Sequence, residues 1–223
     1  MAADAEGPTP MDFLPDSHTF VLYSLACVLL FVTPGPDMSL WLAKTISGGR
    51  RGGTAAMLGT QVGCVCHTVF AAIGLSALLA ASATAFAAMK IIGALYLLWL
   101  AFSAIRSGSA LNVKAEAKPP GSFRSTFLLG LGVNITNPKV VLFFLTFLPQ
   151  FVQANDPHAA QKLFFLGLYF VAINLPLAFV LILGAEKVVA WLKARPRVLR
   201  GIDFTFAGVF GLFAFKILTT QAR

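Results

Sequence analysis

Long apolar segments constrain the fold of this chain more than any other feature of its sequence. They recur between short charged clusters, and each is about as long as the roughly 20 residues that a helix needs to cross a hydrocarbon layer about 30 Å thick. Apolar residues make up 57% of the 223 residues and charged residues 12%, whereas a soluble domain has roughly 45–50% and 25%. The sequence therefore predicts an all-α integral membrane protein that crosses the membrane several times.

The apolar pattern predicts six transmembrane helices. The first span consists of two helical segments, at about 17–32 and 37–47, which are separated by a break. A loop rich in glycine and arginine, at 48–53, then leads to the second span. The remaining spans are predicted at about 54–79, 84–105, 123–152, 161–189 and 201–219.

Polar segments divide this pattern into parts. The segment 106–122 is long enough to link two halves, which run over 17–105 and 123–219. Residues 1–16 form a polar extension that lacks the positive region of a secretory signal peptide, and Met11 is an alternative start.

The distribution of basic residues predicts the orientation of the chain. The net charge is +8, and the loops on one side of the six spans hold 12 Lys and Arg against 4 on the other. Basic loops are retained in the cytoplasm, so both termini are expected on the non-cytoplasmic side. Because this orientation signal explains the positive charge, no nucleic-acid partner is expected. A five-span arrangement with one re-entrant segment is the weaker alternative, because it mixes the basic loops.

Each half begins with a span that proline interrupts. The first break is Thr33-Pro34-Gly35-Pro36, and the second lies at Asn134-Ile135-Thr136-Asn137-Pro138-Lys139. Proline lacks a backbone donor and clashes with the preceding helical turn. Because three spans is an odd number, the second half must insert upside down relative to the first. The pattern thus predicts two inverted three-helix repeats with broken first helices, the plan of many secondary transporters.

Two ionisable residues, Asp37 and Lys139, directly follow the breaks. A lone charge within a span costs several kcal/mol, so each is a functional hypothesis. Lys139 opposes the dipole of its half-helix and is expected to need a counter-charge, either Asp37 or a ligand carboxylate. The simpler interpretation is that Asp37 caps its half-helix and that the Lys139 side chain extends to the membrane interface.

Uncharged polar residues around the breaks are further candidates for a binding path. Amides in hydrocarbon need partners, so Gln61, Asn134, Asn137 and Asn174 either line a cavity or hold helices together by hydrogen bonds. For His67 a buried structural role is favoured over a proton relay.

Other residues are expected to serve packing or solvation. Gly59 and Gly63 predict close helix packing and permit a homodimer. Glu186 and Asp203 flank a basic loop and are expected to be solvated helix ends.

Several classes of chemistry lack their motifs. The three cysteines, Cys27, Cys64 and Cys66, lie in apolar segments and form no CxxC pair, and the three histidines have no metal-ligand spacing. We therefore expect no catalytic residues, no metal and no cofactor. The nucleotide-binding GxxxxGK[ST] pattern is absent as well, so energy for transport would come from an ion gradient or from the substrate gradient.

Three motifs resemble the LysE/RhtB family of amino-acid exporters. They are Thr33-Pro34-Gly35-Pro36-Asp37-Met38, Asn137-Pro138-Lys139 with the aromatic run that ends in Phe147-Leu148-Pro149-Gln150-Phe151, and Gly93-Ala94-Leu95-Tyr96-Leu97-Leu98-Trp99. The resemblance covers about 11–220. It implies a bacterial inner (plasma) membrane protein that exports amino acids or close derivatives, in exchange for protons. Many relatives carry Asn at the position of Asp37, so this carboxylate is not a proton carrier common to the family.

The mechanistic hypothesis is that a zwitterionic amino acid binds between the halves near the membrane midplane. Its carboxylate would face Lys139 and a half-helix N-terminus, and its ammonium would face Asp37 and the carbonyls that the prolines leave free. Three other functions stay open at this point: efflux of a cation such as cadmium, a membrane-embedded hydrolase, and a structural membrane subunit.

Overall fold

The computed structural model describes residues 15–107, 121–152 and 156–221, and all regular structure within these ranges is helical. The helices are α1 (Ser17–Val32), α2 (Pro36–Phe70), α3 (Ser76–Ala81), α4 (Ala83–Ser107), α5 (Phe123–Ile135), α6 (Pro138–Leu142), α7 (Ala159–Leu183), α8 (Ala185–Ala194) and α9 (Pro196–Gln221). A π-helical turn at Ala71–Leu75 joins α2 to α3, and a π turn at Phe143–Phe147 with a 3-10 turn at Leu148–Phe151 continues α6. The predicted linker and N-terminal extension lie largely outside the described residues.

A helical hairpin replaces the loop predicted at 48–53. Gly49 has φ 65° and ψ −173°, a backbone conformation that is essentially restricted to glycine, whereas the residues around it are helical. The two arms of α2 run back along each other, since the Trp41 indole donates to the Thr60 hydroxyl at 3.0 Å. The predicted loop was wrong because one glycine suffices to reverse the chain.

Both predicted breaks are present. Residues 33–35 are not helical, and α2 begins at Pro36. The second break separates α5 from α6, where the segments Phe123–Ile135 and Pro138–Phe151 meet at a bend of 50°. In each case proline occupies the first turn of the new helix, a position at which its missing N–H removes no intrahelical bond.

Glycines bring α5 into close contact with the second arm of α2. A Cβ added at Gly59 would lie 2.8 Å from the Leu131 backbone nitrogen, and one at Gly63 would lie 2.9 Å from the Asn134 Cβ. The close packing predicted for Gly59 and Gly63 is therefore confirmed. Because it occurs within the chain, these glycines are not available to form a homodimer.

Aromatic side chains fill the core between α1, α7 and the π turn after α6. Tyr23 is fully buried and donates its hydroxyl to the Leu166 carbonyl at 2.8 Å. Phe143 packs between Phe147 and Phe170, with ring centroids 5.3 and 4.6 Å away. This core holds α1 against α7.

By length and composition, four helices in the described ranges can cross a membrane, and a fifth if the bent α5–α6 pair counts as one span. The prediction from sequence was six. The difference arises because α1, with 16 residues, is short, and because 36–81 counts as one 46-residue helix although it reverses at Gly49.

The fifth predicted span was drawn too long. It was expected to reach about residue 189, but α7 ends at Leu183. Gly184, with φ −102° and ψ 14°, leaves the helical conformation, and the chain starts the separate helix α8 at once.

Candidate functional site

The two breaks place Asp37 and Lys139 at corresponding positions. Gly35 and Asn137 are the N-caps, Pro36 and Pro138 come first in their helices, and the two charged residues come second. A carboxylate at this position is favoured by the helix dipole, whereas an ammonium is disfavoured. Lys139 therefore needs negative partners from elsewhere in the chain.

The partners of Lys139 are carbonyl oxygens at the end of α1. Its Nζ donates to the Leu30 oxygen at 2.6 Å and to the Thr33 oxygen at 2.5 Å. In a continuous helix the Leu30 oxygen would accept from residue 34, but Pro34 has no N–H. The lysine thus supplies the missing donor at the negative end of the α1 dipole. The partners of the ammonium are thus neutral peptide carbonyls, whereas the sequence predicted a carboxylate, that of Asp37 or of a ligand.

A matching arrangement occurs at the second break. Pro138 has no N–H to donate to the Asn134 oxygen, which instead accepts from the Asn137 backbone N–H at 3.0 Å. His67 Nε2 lies 3.4 Å from the same oxygen and stacks on Phe144. Since a carbonyl only accepts, this contact requires a proton on Nε2. His67 therefore contacts a proline-broken helix end just as Lys139 does.

Asn134 connects Asp37 to α2 and α5. It is 0% exposed, and its Nδ2 donates to Asp37 Oδ2 at 2.7 Å and to Cys64 Sγ at 3.4 Å. The absence of a side chain at Gly63 makes the room that Asn134 occupies. This amide therefore both holds helices together and reaches the carboxylate.

A small cavity lies between Asp37 and Lys139. It encloses about 50 Å³, whereas small-molecule pockets have roughly 300–1,000 Å³. We call it the midplane cavity, because the mechanistic hypothesis puts the substrate site near the membrane midplane. The predicted site residues among those that line it are Gly35, Asp37, Gln61, Asn137, Lys139 and Asn174.

Two acceptor atoms at this cavity have no donor. Asp37 Oδ1 and Gln61 Oε1 are buried and accept no hydrogen bond from the described residues. Buried acceptors are costly unless a donor reaches them. A cationic or N–H-bearing ligand group would satisfy both.

Not every predicted pairing forms. No ion pair of 4.0 Å or less joins Asp37 to Lys139, both of which are described. The Asn174 amide donates to the Phe170 carbonyl of its own helix at 2.8 Å. The two charges thus face one cavity while they bind different groups.

Comparison with known proteins identifies the family to which this sequence belongs. The sequence model of the LysE type translocators matches residues 28–221. The chain belongs to the LysE type translocator family. As a member of this family it is a transmembrane transporter and not an enzyme.

Relatives of this translocator include proteins of Salmonella typhimurium and Vibrio cholerae. The homoserine/homoserine lactone efflux protein of Salmonella typhimurium is 30% identical over 190 residues, which are 85% of this chain and 91% of the relative. An uncharacterized membrane protein of Vibrio cholerae is 30% identical over 210 residues, 93% of this chain and 100% of the relative. No solved structure matches the chain.

One buried charge of this translocator was missed by sequence reasoning. Asp203 was expected to be a solvated helix end, but it is 2% exposed, whereas Glu186 is exposed as expected. The expectation was wrong because α9 begins at Pro196, which places Asp203 two turns inside the helix and against α4. The proline before the basic residues was the signal that the helix starts early.

Metal ligands do not cluster in the part of the translocator that the structure describes. Within it, no group of three or more His, Cys, Asp and Glu side chains is placed to hold a metal ion.

Proposed function

We propose that this translocator exports amino acids or close derivatives across the bacterial inner membrane by proton antiport. The observation that carries the proposal is the chemistry of the midplane cavity. Two acceptors without donors, Asp37 Oδ1 and Gln61 Oε1, and the ammonium of Lys139 line the same space. An amino-acid zwitterion has the complementary groups, an ammonium with N–H donors and a carboxylate.

The proposed binding mode follows from these partners. The substrate ammonium donates to Asp37 and Gln61, and its carboxylate draws the Lys139 ammonium away from the carbonyls at the end of α1. Charge-assisted hydrogen bonds of this kind are about twice as strong as neutral ones. Because the cavity is much smaller than a typical ligand pocket, binding requires the helices around it to move apart, as alternating access demands.

Homoserine is the substrate we propose to test first. The Salmonella relative is named for efflux of homoserine and homoserine lactone. Homoserine is a small zwitterion with one added hydroxyl, for which the side chains of Asn137 and Asn174 at the cavity offer hydrogen-bonding groups.

A six-span topology is part of the proposal. α1 and the first arm of α2 form one span that is broken at 33–35, and the second arm with α3 forms the next. α4, the bent α5–α6 segment, α7 and α9 supply the other four. Inverted three-helix halves then place the basic loops in the cytoplasm and both termini outside.

Proton coupling is assigned to Asp37. After release of the substrate on the outside, a proton on this carboxylate replaces the substrate ammonium and allows the empty protein to return. The partner of Asp37 in this state, Asn134, is neutral and can hydrogen-bond to either protonation state.

Transport by purified protein in proteoliposomes tests the proposal. Vesicles loaded with labelled homoserine should lose it faster when the outside is made acidic than at equal pH, and Asp37→Asn should abolish this dependence on the proton gradient. Vesicles with the exposed-site variant Glu186→Gln serve as the control. Homoserine loss at the protein-free rate, together with the same result for a mixture of proteinogenic amino acids, would refute the proposed function.

A further inference from the structure

A second cavity lies on the other side of Lys139. It has a volume of about 370 Å³ and is bounded by α4, α9 and the two breaks, so we call it the α4–α9 cavity. Its volume falls within the range of small-molecule sites. Thr33, Gly35, Asn137 and Lys139 line both this cavity and the midplane cavity. These four residues are therefore the wall between the two spaces.

Opposite charges line the α4–α9 cavity. Asp203, which is 2% exposed, contributes a carboxylate. Lys139, which also lines the midplane cavity, contributes an ammonium. The Lys139 Nζ lies 6.0 Å from the ring centroid of Phe206, which also lines this space. The ammonium is thus close to both cavities while the α1 carbonyls hold it.

Neutral polar groups add to this lining. The Ser39 hydroxyl lines the cavity, is buried, and has no hydrogen-bond partner among the residues described. Ser103 contributes a second hydroxyl from α4. A purely structural gap between apolar helices does not need this set of groups, since unsatisfied polar atoms destabilise such packing.

The cavity lies toward the end of the protein that carries the basic loops. Arg200 Nη1 donates to the Ile105 carbonyl at 2.9 Å, which ties the start of α9 to the end of α4. Ser103 is two residues before Ile105, and Asp203 is three residues after Arg200, so both lie within about one helical turn of this tie. In the proposed orientation this end faces the cytoplasm, from which an exporter takes its substrate.

We propose that the α4–α9 cavity is a loading site, in which Asp203 binds the ammonium and Lys139 the carboxylate of an amino acid before it passes to the midplane cavity. The proposal rests on the proposed function, because it assumes a zwitterionic substrate that moves outward. Lys139 then serves both sites in turn, since it stands in the wall that separates them. Asp203 and Asp37 are the two successive anionic partners of the ammonium.

Thiol labelling tests for occupancy of the site without relying on transport. A cysteine at Ser103→Cys should react with a membrane-impermeant methanethiosulfonate in inside-out vesicles. Homoserine at about ten times its dissociation constant should slow the reaction roughly tenfold. Lys187→Cys is the control, because Lys187 is exposed on α8, on the side of the basic loops, and does not line the α4–α9 cavity; homoserine should not protect it. The unsubstituted chain gives the background of its three native cysteines.

Substitution of the carboxylate tests its role. With Asp203→Asn the protection of Ser103→Cys should be lost, and the internal homoserine concentration that half-saturates export should rise about tenfold or more, the loss expected for one charge-assisted hydrogen bond. Asp203→Glu should keep part of the protection, and Glu186→Gln should keep all of it.

The outcomes separate the two proposals. Equal labelling of Ser103→Cys with and without homoserine, and with a mixture of proteinogenic amino acids, overturns the loading site even if the parent protein exports homoserine. Protection that survives in Asp203→Asn also overturns it. Failure of the parent protein to transport any amino acid, with protection of Ser103→Cys intact, counts against the exporter proposal and leaves the site in place.

Discussion

Lys139 Nζ lies 2.6 Å from the carbonyl oxygen of Leu30 and supplies the hydrogen bond that Pro34 cannot make. The ammonium of a residue in the first turn of α6 thereby donates a hydrogen bond to the carboxyl-terminal end of α1, 109 residues earlier in the chain. The arrangement stabilises a charge within the membrane without an opposite side-chain charge in contact. It also leaves the lysine with neutral partners, which a carboxylate can displace because it forms stronger, charge-assisted hydrogen bonds.

Loss of this lysine should destabilise the protein. Lys139→Met keeps much of the side-chain volume but leaves the Leu30 and Thr33 oxygens without their donor. We expect a decrease of about 1–3 kcal/mol in the free energy of unfolding, because buried acceptors then lack partners. Thermal unfolding in detergent measures it. Lys187→Met, at an exposed position of α8, is the control, and equal melting temperatures for the two variants would contradict the structural role of Lys139.

Substitution of the hairpin glycine should destabilise the fold as well. Gly49→Ala forces a Cβ into a conformation with φ 65° and ψ −173°, which costs about 1–3 kcal/mol. Gly208→Ala is the control, since a Cβ there meets nothing within 4 Å. A Gly49→Ala protein as stable as the control would show that the chain does not reverse at this residue.

The contact between α2 and α5 predicts opposite effects for two glycines on one helix. A Cβ at Gly130 would lie 3.0 Å from the Ala56 carbonyl carbon, whereas one at Gly132 meets nothing within 4 Å. Gly130→Ala should therefore lower the free energy of unfolding by about 1–3 kcal/mol, and Gly132→Ala should leave it unchanged or raise it by up to about 1 kcal/mol. Unfolding curves of the two variants measure these free energies. A Gly132→Ala protein less stable than the Gly130→Ala protein would refute this packing of α2 against α5.

The broken helices were predictable because proline acts locally. Pro34 and Pro36 flank Gly35, Pro138 follows Asn137, and the structure has its breaks at both places. A lone proline is not sufficient, since α7 continues through Pro176. The partner of Lys139 was not predictable in the same way. Pro34 shows that the Leu30 oxygen lacks a donor, but only the tertiary packing brings residue 139 to it.

The burial of Asp203 likewise depends on packing between distant helices. Its position beside a basic loop suggested a solvated end, and the packing of α9 against α4 overrides that pattern. The reversal of the chain at the single residue Gly49 could not be predicted for a different reason. The glycines at 48, 49, 52 and 53 are equally suited to a loop, so the sequence does not show which of them makes the turn. Among the glycines that the structure describes, only Gly49 has a positive φ.

The most direct test of the central claim compares export of homoserine with that of homoserine lactone, which keeps the ammonium but has no free carboxylate. If Lys139 binds the carboxylate and Asp37 the ammonium, Lys139→Gln should lower homoserine export about tenfold more than lactone export. Asp37→Asn should lower both by similar factors. The ratio of the two substrates cancels any loss of folded protein. An unchanged ratio in Lys139→Gln, or full export of both compounds by Asp37→Asn, would contradict the account.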